Sequence, residues 1–267
     1  MRPAKTTPMI KQYLSIKEQY TDAILFYRMG DFYEMFFEDA ELASKALDIT
    51  LTSRNKNEAK PIPMCGVPYR AAQGYIARLI NDGHKVAICD QVEDAAAAKG
   101  LVKREVVRVV TPGMIVDNEL LDAKINNFIL SGVIQGQVAG LACLDISTGS
   151  FRITESKSVD LIADEIRRIG PREVLLPEAG KNDPAYQPLL SAVDQVSTTF
   201  AADRHCERSS CRQILLDQLN TISLEGFGCE QRPCAVSAAG ALMHYVRKTQ
   251  KQQIHHINRL ESYSLEH

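Results

Sequence analysis

The sequence predicts a two-domain α/β protein. Short apolar runs of strand length alternate with stretches of helical periodicity along most of the chain. A turn signal at Thr111-Pro112-Gly113 is followed by residues 114–124, where periodicity is lost and four charges crowd together. A new pattern starts at Phe128, and 267 residues suit two domains of ordinary size.

In the first domain, residues 24–28 read as a strand, Met29-Gly30-Asp31 as a turn and residues 32–36 as a second strand. Glu38 and Asp39 open a helix whose apolar face is Ala40, Ala43 and Leu47. Ser53-Arg54-Asn55-Lys56-Asn57 reads as a flexible polar loop. Residues 62–67 are extended, and Pro61, Pro63 and Pro68 argue against a central ladder position. An amphipathic helix at 71–80 closes at Asn81-Asp82-Gly83, and strands follow at 86–89 and 106–110.

In the second domain, residues 128–134 and 138–147 form a hairpin across Gln135-Gly136-Gln137. Thr148-Gly149-Ser150 turns into a third strand at 151–154. A helix at 159–169 carries Val159, Ile162, Ile166 and Ile169 on one face. A buried strand at 174–176 sits between Pro171 and Pro177, and helices follow near 186–193, 211–219 and 235–249. A three-stranded meander followed by alternating helices and strands is the order of a ribonuclease H-like domain. No internal repeat and no low-complexity tract occurs.

Composition is that of a soluble globular protein, 45% hydrophobic and 24% charged. No apolar stretch is long enough for a transmembrane helix, and the N-terminus has no apolar core behind its basic residues, which argues against a secretory signal. Seven cysteines, at 65, 89, 143, 206, 211, 229 and 234, are odd in number and irregular in spacing. Reduced thiols in a cytoplasm are expected. A zinc site could be drawn from Cys206/Cys211 and Cys229/Cys234, but structural zinc knuckles use tighter spacing, which favours isolated thiols. Net charge is −2; up to Gly113 there are 16 Lys and Arg against 14 Asp and Glu, and beyond it 15 against 19. Neither part has the strongly basic balance of a simple phosphate-gripping domain. Leu265-Glu266-His267 reads like a cloning scar running into a histidine tag.

Four blocks carry a resemblance: Phe26-Tyr27-Arg28-Met29-Gly30-Asp31-Phe32-Tyr33-Glu34-Met35-Phe36, Pro61-Ile62-Pro63-Met64-Cys65-Gly66-Val67-Pro68-Tyr69, Val86-Ala87-Ile88-Cys89-Asp90-Gln91 and Val109-Val110-Thr111-Pro112-Gly113. In order and separation they resemble the DNA-contacting region of the bacterial MutS mismatch-recognition family. The likeness continues at Leu144-Asp145-Ile146-Ser147-Thr148-Gly149 and Ala238-Ala239-Gly240-Ala241-Leu242, so it covers nearly the whole chain. It implies a mixed-sheet mismatch-recognition domain at 1–113, a linker at 114–124, a ribonuclease H-like connector domain at 125–247, the start of a core domain at 248–264 and a tag remnant at 265–267.

The resemblance also implies site residues. Phe32 would stack on a mispaired base, Glu34 would hydrogen-bond it, and Met29, Arg54 and Met64 match positions near the DNA. The physics of Phe32-x-Glu34 agrees. Residues i and i+2 of a strand share a face, so Phe32 and Glu34 point together and Tyr33 points to the core. Minor-groove proteins insert apolar wedges between base steps at a cost of about a few kcal/mol per step, and the cost falls where a base is already poorly held. Glu34 repels phosphates and weakens binding to intact duplex, a penalty offset only where a base can bond to it. Proton uptake by Glu34 in the complex would fit the same surroundings. Taken alone, the hairpin would more simply hold a buried Phe and an edge charge; the four matching blocks reverse that reading.

Other candidates are weaker. Lys99, Lys103, Arg104 and Arg108 form a basic run that reads as a solvated face, and residues 95–98 read as a plain helix. Asp145 lies where ribonuclease H-like enzymes carry a metal-binding carboxylate, but Arg152-Ile153 on the neighbouring strand offers no partner acid. A turn or strand-end acid is the expectation, with a metal-dependent nuclease as the rival. No phosphate-cradling Gly-x-x-x-x-Gly-Lys-Ser/Thr loop occurs; Gly180-Lys181 lacks the preceding glycine and the hydroxyl residue. The resemblance places the ATPase downstream and implies, for a full-length protein, ATP and Mg, a homodimer, mismatched double-stranded DNA and MutL as partners, and no membrane. A relative acting in recombination is a further alternative, but such relatives usually lack Phe-x-Glu.

Overall fold

The computed structural model describes residues 7–54, 61–93, 100–114, 127–250 and 254–265. Most of the expected linker, Asn55 to Asn57, Ala95 to Ala98, Lys99 and Glu266-His267 lie outside the described residues. The chain divides into two compact units, Met1–Thr111 and Pro112–His267.

The described part of the first unit begins with α1 (Pro8–Lys17), which was not among the expected elements. Thr7 caps it, its hydroxyl accepting from the Ile10 N–H, and Pro8 supplies a first-turn residue that needs no N–H partner. There follow β1 (Ile24–Met29), β2 (Phe32–Phe36), α2 (Phe37–Leu47), β3 (Thr52–Arg54), β4 (Ile62–Pro68), α3 (Ala72–Asn81), β5 (Val86–Gln91) and β6 (Arg104–Val110). The strands make one sheet in the order β3-β4-β2-β1-β5-β6, antiparallel except for β1 beside β5.

Helix α2 lies against β4 on one face of this sheet, where the Cys65 thiol donates to the Ala40 carbonyl at 3.4 Å. On the other face α1 sets Tyr13 edge-on against Tyr27 and Phe36, with ring centroids 5.6 and 5.0 Å away. Burying rings of this size stabilises by about 1.5–3 kcal/mol each. Asp39, at the start of α2, joins the two layers. It accepts from Lys17 Nζ at 2.8 Å, and from the Leu25 N–H and the Tyr13 hydroxyl at 3.0 Å each. Leu25 needs this acceptor because β2 pairs with β1 only from Tyr27 to Met29.

Two expectations change here. Arg54 is not in a loop: Thr52, Ser53 and Arg54 pair with Met64, Pro63 and Ile62. Strand β4 is also flanked on both sides in spite of its prolines. The reason is register. β2 pairs with residues 64–68 and β3 with residues 62–64, so Pro63 and Pro68 each face a partner on one side only.

The second unit contains β7 (Phe128–Gln135), β8 (Val138–Asp145), β9 (Ser150–Ser156), α4 (Val159–Ile169), β10 (Glu173–Pro177), α5 (Gln187–Ala192), β11 (Ser197–Ala201), α6 (Arg208–Leu219), α7 (Pro233–Gln250) and β12 (Glu261–Ser262). Its sheet runs β11-β10-β7-β8-β9-β12. The first three strands are an antiparallel meander, with β10 parallel to β7 and β11 parallel to β10, the ribonuclease H-like order. Strands β11 and β12 were not among the expected elements.

Helices α4 and α5 bury one face of that sheet, and α6 and α7 the other. Helix α7 sits directly on β8 at Gly140, where a Cβ would come within 2.1 Å of the Cys234 carbonyl carbon. The segment after α7 packs back onto the same unit, although it was expected to open a further domain. Ile254, Ile257 and Leu260 join the α6/α7 core, and β12 pairs with β9. Leu265 packs against the α4/α5 core. All seven cysteines are buried and none is in a disulfide, and burial raises the Cys206 and Cys211 thiols to about 12.

Candidate functional site

The β1–β2 hairpin is closed by two residues. Gly30 takes a φ of +57°, a left-handed conformation cheap only for glycine, and Met29 pairs directly with Phe32 across the turn. Beyond the turn the strand alternates as its period demands: Phe32 is 47% exposed and Tyr33 4%. Phe32 therefore stands at the tip with nearly half its surface in solvent, although a Phe buries easily wherever the fold allows.

Register places the other expected residues. Residues directly opposite in antiparallel strands share a face. Met29, Phe32 and Pro68 form the row at the tip; Tyr27, Glu34 and Gly66 form the next; Phe36, Met64 and Thr52 the third; Ile62 and Arg54 the fourth. All five residues singled out from the sequence, Met29, Phe32, Glu34, Arg54 and Met64, thus lie on one face. Helix α1 covers that face at Tyr27 and Phe36 but not at the tip, where Met29 is only partly buried; Met64, opposite Phe36, is partly buried as well.

Glu34 is the polar group of this face. Its Oε2 is buried with no hydrogen-bond partner among the described residues, and the Arg54 guanidinium stands 3.5 Å away, near enough for ionic attraction. Burial pushes the Glu34 carboxyl above its ordinary value, and Arg54 opposes the shift. An acceptor left unsatisfied in this way is costly, and donation by an incoming N–H would remove the cost. Gly66 lies directly opposite, exposed and without a side chain to cover Glu34. A mid-strand glycine with an ordinary φ signals close approach more than a turn; that signal was present in the sequence at Cys65-Gly66-Val67 and was not used.

Behind the tip, on the opposite face, Arg28 stacks on the Tyr69 ring at 3.4 Å and lies 5.6 Å from the Tyr33 ring. Arg28 also donates to the Gly30 carbonyl, and the Tyr69 N–H donates to the Asp31 carbonyl at 2.8 Å. The Tyr33 hydroxyl donates to Asp90 at 2.9 Å. Chemically, the site offers a ring that can stack on a planar group, an acceptor two residues behind it, and a rigid backing.

The remaining candidates fall elsewhere. The basic run is not a free cationic face. Arg104 is 8% exposed and donates to the Arg28 and Val102 carbonyls, while Lys103 pairs with Glu105 at 2.6 Å. Asp145 is 4% exposed, and its Oδ1 accepts from both the N–H and the hydroxyl of Ser147, at 2.9 and 2.6 Å. It is a turn acid, as expected. Gly180 packs on the Tyr186 ring and Lys181 pairs with Glu178, which is no phosphate cradle.

Comparison with known proteins agrees with this layout. A family profile described as MutS domain I matches residues 7–119, and one described as MutS domain II matches residues 127–258. The chain is 54% identical to the DNA mismatch repair protein MutS of Desulfosudis oleivorans, over 100% of the chain and 30% of the relative. It is 53% identical to that of Desulfatibacillum aliphaticivorans and 45% identical to that of Halothermothrix orenii, in each case over 98% of the chain and 30% and 29% of the relative. The chain spans about 30% of the length of the curated relatives it matches. A sheet with an exposed aromatic tip, a second sheet of ribonuclease H-like order, and two profiles meeting between them lead to one assignment: the chain belongs to the MutS family and carries its domains I and II.

Proposed function

We propose that this chain reads mismatched and unpaired bases in double-stranded DNA from the minor groove. Phe32 enters beside a weakly stacked base and Glu34 accepts a hydrogen bond from it, or donates one when protonated. Met29 sits beside the ring across the turn, Met64 lies two rows further along the same face, and Arg54 holds the Glu34 carboxylate until a base replaces it and is free to meet a phosphate. The observation that carries the reading is an exposed Phe at a hairpin tip with, beside it, a buried carboxylate oxygen that is ion-paired with Arg54 but accepts no hydrogen bond among the described residues. Discrimination then comes from deformability, because unstacking and bending are cheapest at a defect.

In this reading residues 1–113 are the reading domain, residues 125–247 a connector that couples DNA to partners, and this part of the protein performs no catalysis. The full-length protein is a cytoplasmic homodimer that hydrolyses ATP with Mg through a downstream phosphate loop and recruits MutL. The test is Phe32→Ala in the full-length protein, with binding to mismatched and matched duplexes compared. The variant should lose mismatch preference and keep weak general binding; equal discrimination by both proteins would overturn the assignment.

The strand order of the second unit also supports a rival, a metal-dependent nuclease acting through Asp145. Incubating the chain with magnesium and labelled duplex decides between them: cleavage that disappears in Asp145→Asn would favour the nuclease.

A further inference from the structure

We propose that Arg28 and Tyr69 form a brace that fixes the pose of Phe32, making both positioning residues for base reading; this rests on the function proposed above. Phe32 follows a two-residue turn at the free end of a hairpin, and among the described residues no helix covers the reading face there. A wedge on a loose turn would spend part of its binding energy on being ordered, so a turn held before contact binds more tightly.

The brace is built from three sides. The Arg28 side chain folds back and donates to the Gly30 carbonyl, inside the turn itself. Its guanidinium lies flat on Tyr69 at 3.4 Å, closer than its 5.6 Å to Tyr33. Tyr69 is tied to the other turn residue through its N–H to the Asp31 carbonyl, and it follows Pro68, the direct cross-strand partner of Phe32. One ring therefore links the tip of β2, the end of β4 and both residues of the turn.

Tyr69 is 46% exposed, so core burial does not account for a large aromatic there. An ordinary surface ring leaves its neighbours as they are when removed; this one would release Arg28 and, with it, the Gly30 carbonyl. Because the contact is made by the face of the ring, the phenol hydroxyl is dispensable.

The test compares Tyr69→Leu, Tyr69→Phe, Arg28→Met and Phe32→Ala in the full-length protein, reading affinity for mismatched and matched duplex. Amide hydrogen exchange at Gly30 and Asp31 is read in parallel on the present chain. Tyr69→Leu and Arg28→Met should each lower mismatch preference about two- to fivefold, the size of an exposed cation–ring contact. They should also speed exchange at the turn, and Tyr69→Phe should match the parent in both readouts. The brace is overturned if Tyr69→Leu keeps full preference and turn protection while Phe32→Ala loses preference. Retained preference in Phe32→Ala would overturn the reading function itself. Should Tyr69→Leu fold poorly, Arg28→Met carries the same decision, because Arg28 lies at the surface end of β1.

Discussion

Each unit has an acid beside a hairpin end on a mixed sheet, and the two acids have opposite surroundings. In the second unit Asp145 is buried, yet the N–H and hydroxyl of Ser147 satisfy its Oδ1. In the first unit Glu34 has a buried oxygen with no hydrogen-bond partner among the described residues and an arginine at 3.5 Å. The phenylalanines differ in the same way: Phe151 of β9 is 2% exposed, and Phe32 of β2 is 47% exposed. An acid that closes its own turn stabilises a fold. An acid left wanting a donor, beside a ring left in water, costs stability and is explained by what arrives from outside.

The sharpest way to break this comparison is to truncate both rings. Phe151→Ala should destabilise the second unit by about 3–5 kcal/mol, since it empties a filled core site. Phe32→Ala should change the stability of the first unit by no more than about 0.5 kcal/mol, as expected at the surface. In the full-length protein it should nonetheless weaken mismatch binding by about thirtyfold, as expected of a dominant contact residue. Thermal unfolding of the chain and duplex binding measure the two. A large stability loss at Phe32 would place the ring in the core and end the contrast.

Next in size is Asp145→Ala, which strands the Ser147 N–H and should cost about 1–3 kcal/mol in denaturant unfolding of the second unit. Asp145→Asn keeps an acceptor oxygen and should cost less. Equal losses would mean that charge, and not the turn hydrogen bonds, is what Asp145 supplies.

Glu34 should show the opposite sign. Burial holds its folded-state pKa above the ordinary value. A carboxyl raised in this way contributes stability below its unfolded pKa, and that contribution is lost as pH rises through the folded pKa. Glu34→Gln should therefore remove part of the decline in melting temperature as pH rises above the ordinary carboxylate range, and should strengthen binding to matched duplex. Superimposable melting profiles for parent and variant would remove the argument for a strained acid.

The smallest effect is expected at Arg54. Arg54→Ala breaks a half-exposed ion pair worth about 0–1 kcal/mol. Its clearer signature is a further rise in the Glu34 pKa, visible by NMR titration of the carboxyl.

Much of this was legible in the chain. The limits of β2 and α4 follow from alternation and helical periodicity alone, and the pairing of Phe32 with Glu34 on one face follows from a period of two. Other elements were not. Helix α1 was not among the expected elements, although Met9, Ile10, Tyr13 and Leu14 stand at helical spacing. Ser197–Ala201, β11, is read as a strand only because β10 lies beside it. Arg54 reads as a loop cation until β4 pairs with it.

What the sequence determined by itself was local: which residues alternate, where glycine and proline stop an element, and that an aromatic and an acid share the end of one strand. These depend on neighbours a few positions apart, whose geometry the backbone sets. Only the tertiary structure decided that Arg54 stands beside Glu34, that Gly66 lies opposite the acid with no side chain, that Tyr69 reaches back to Arg28 and that Asp145 accepts hydrogen bonds where the Glu34 Oε2 does not. Such facts belong to residues 20 to 41 positions apart, or to a count of hydrogen bonds that exists only once the sheet has closed.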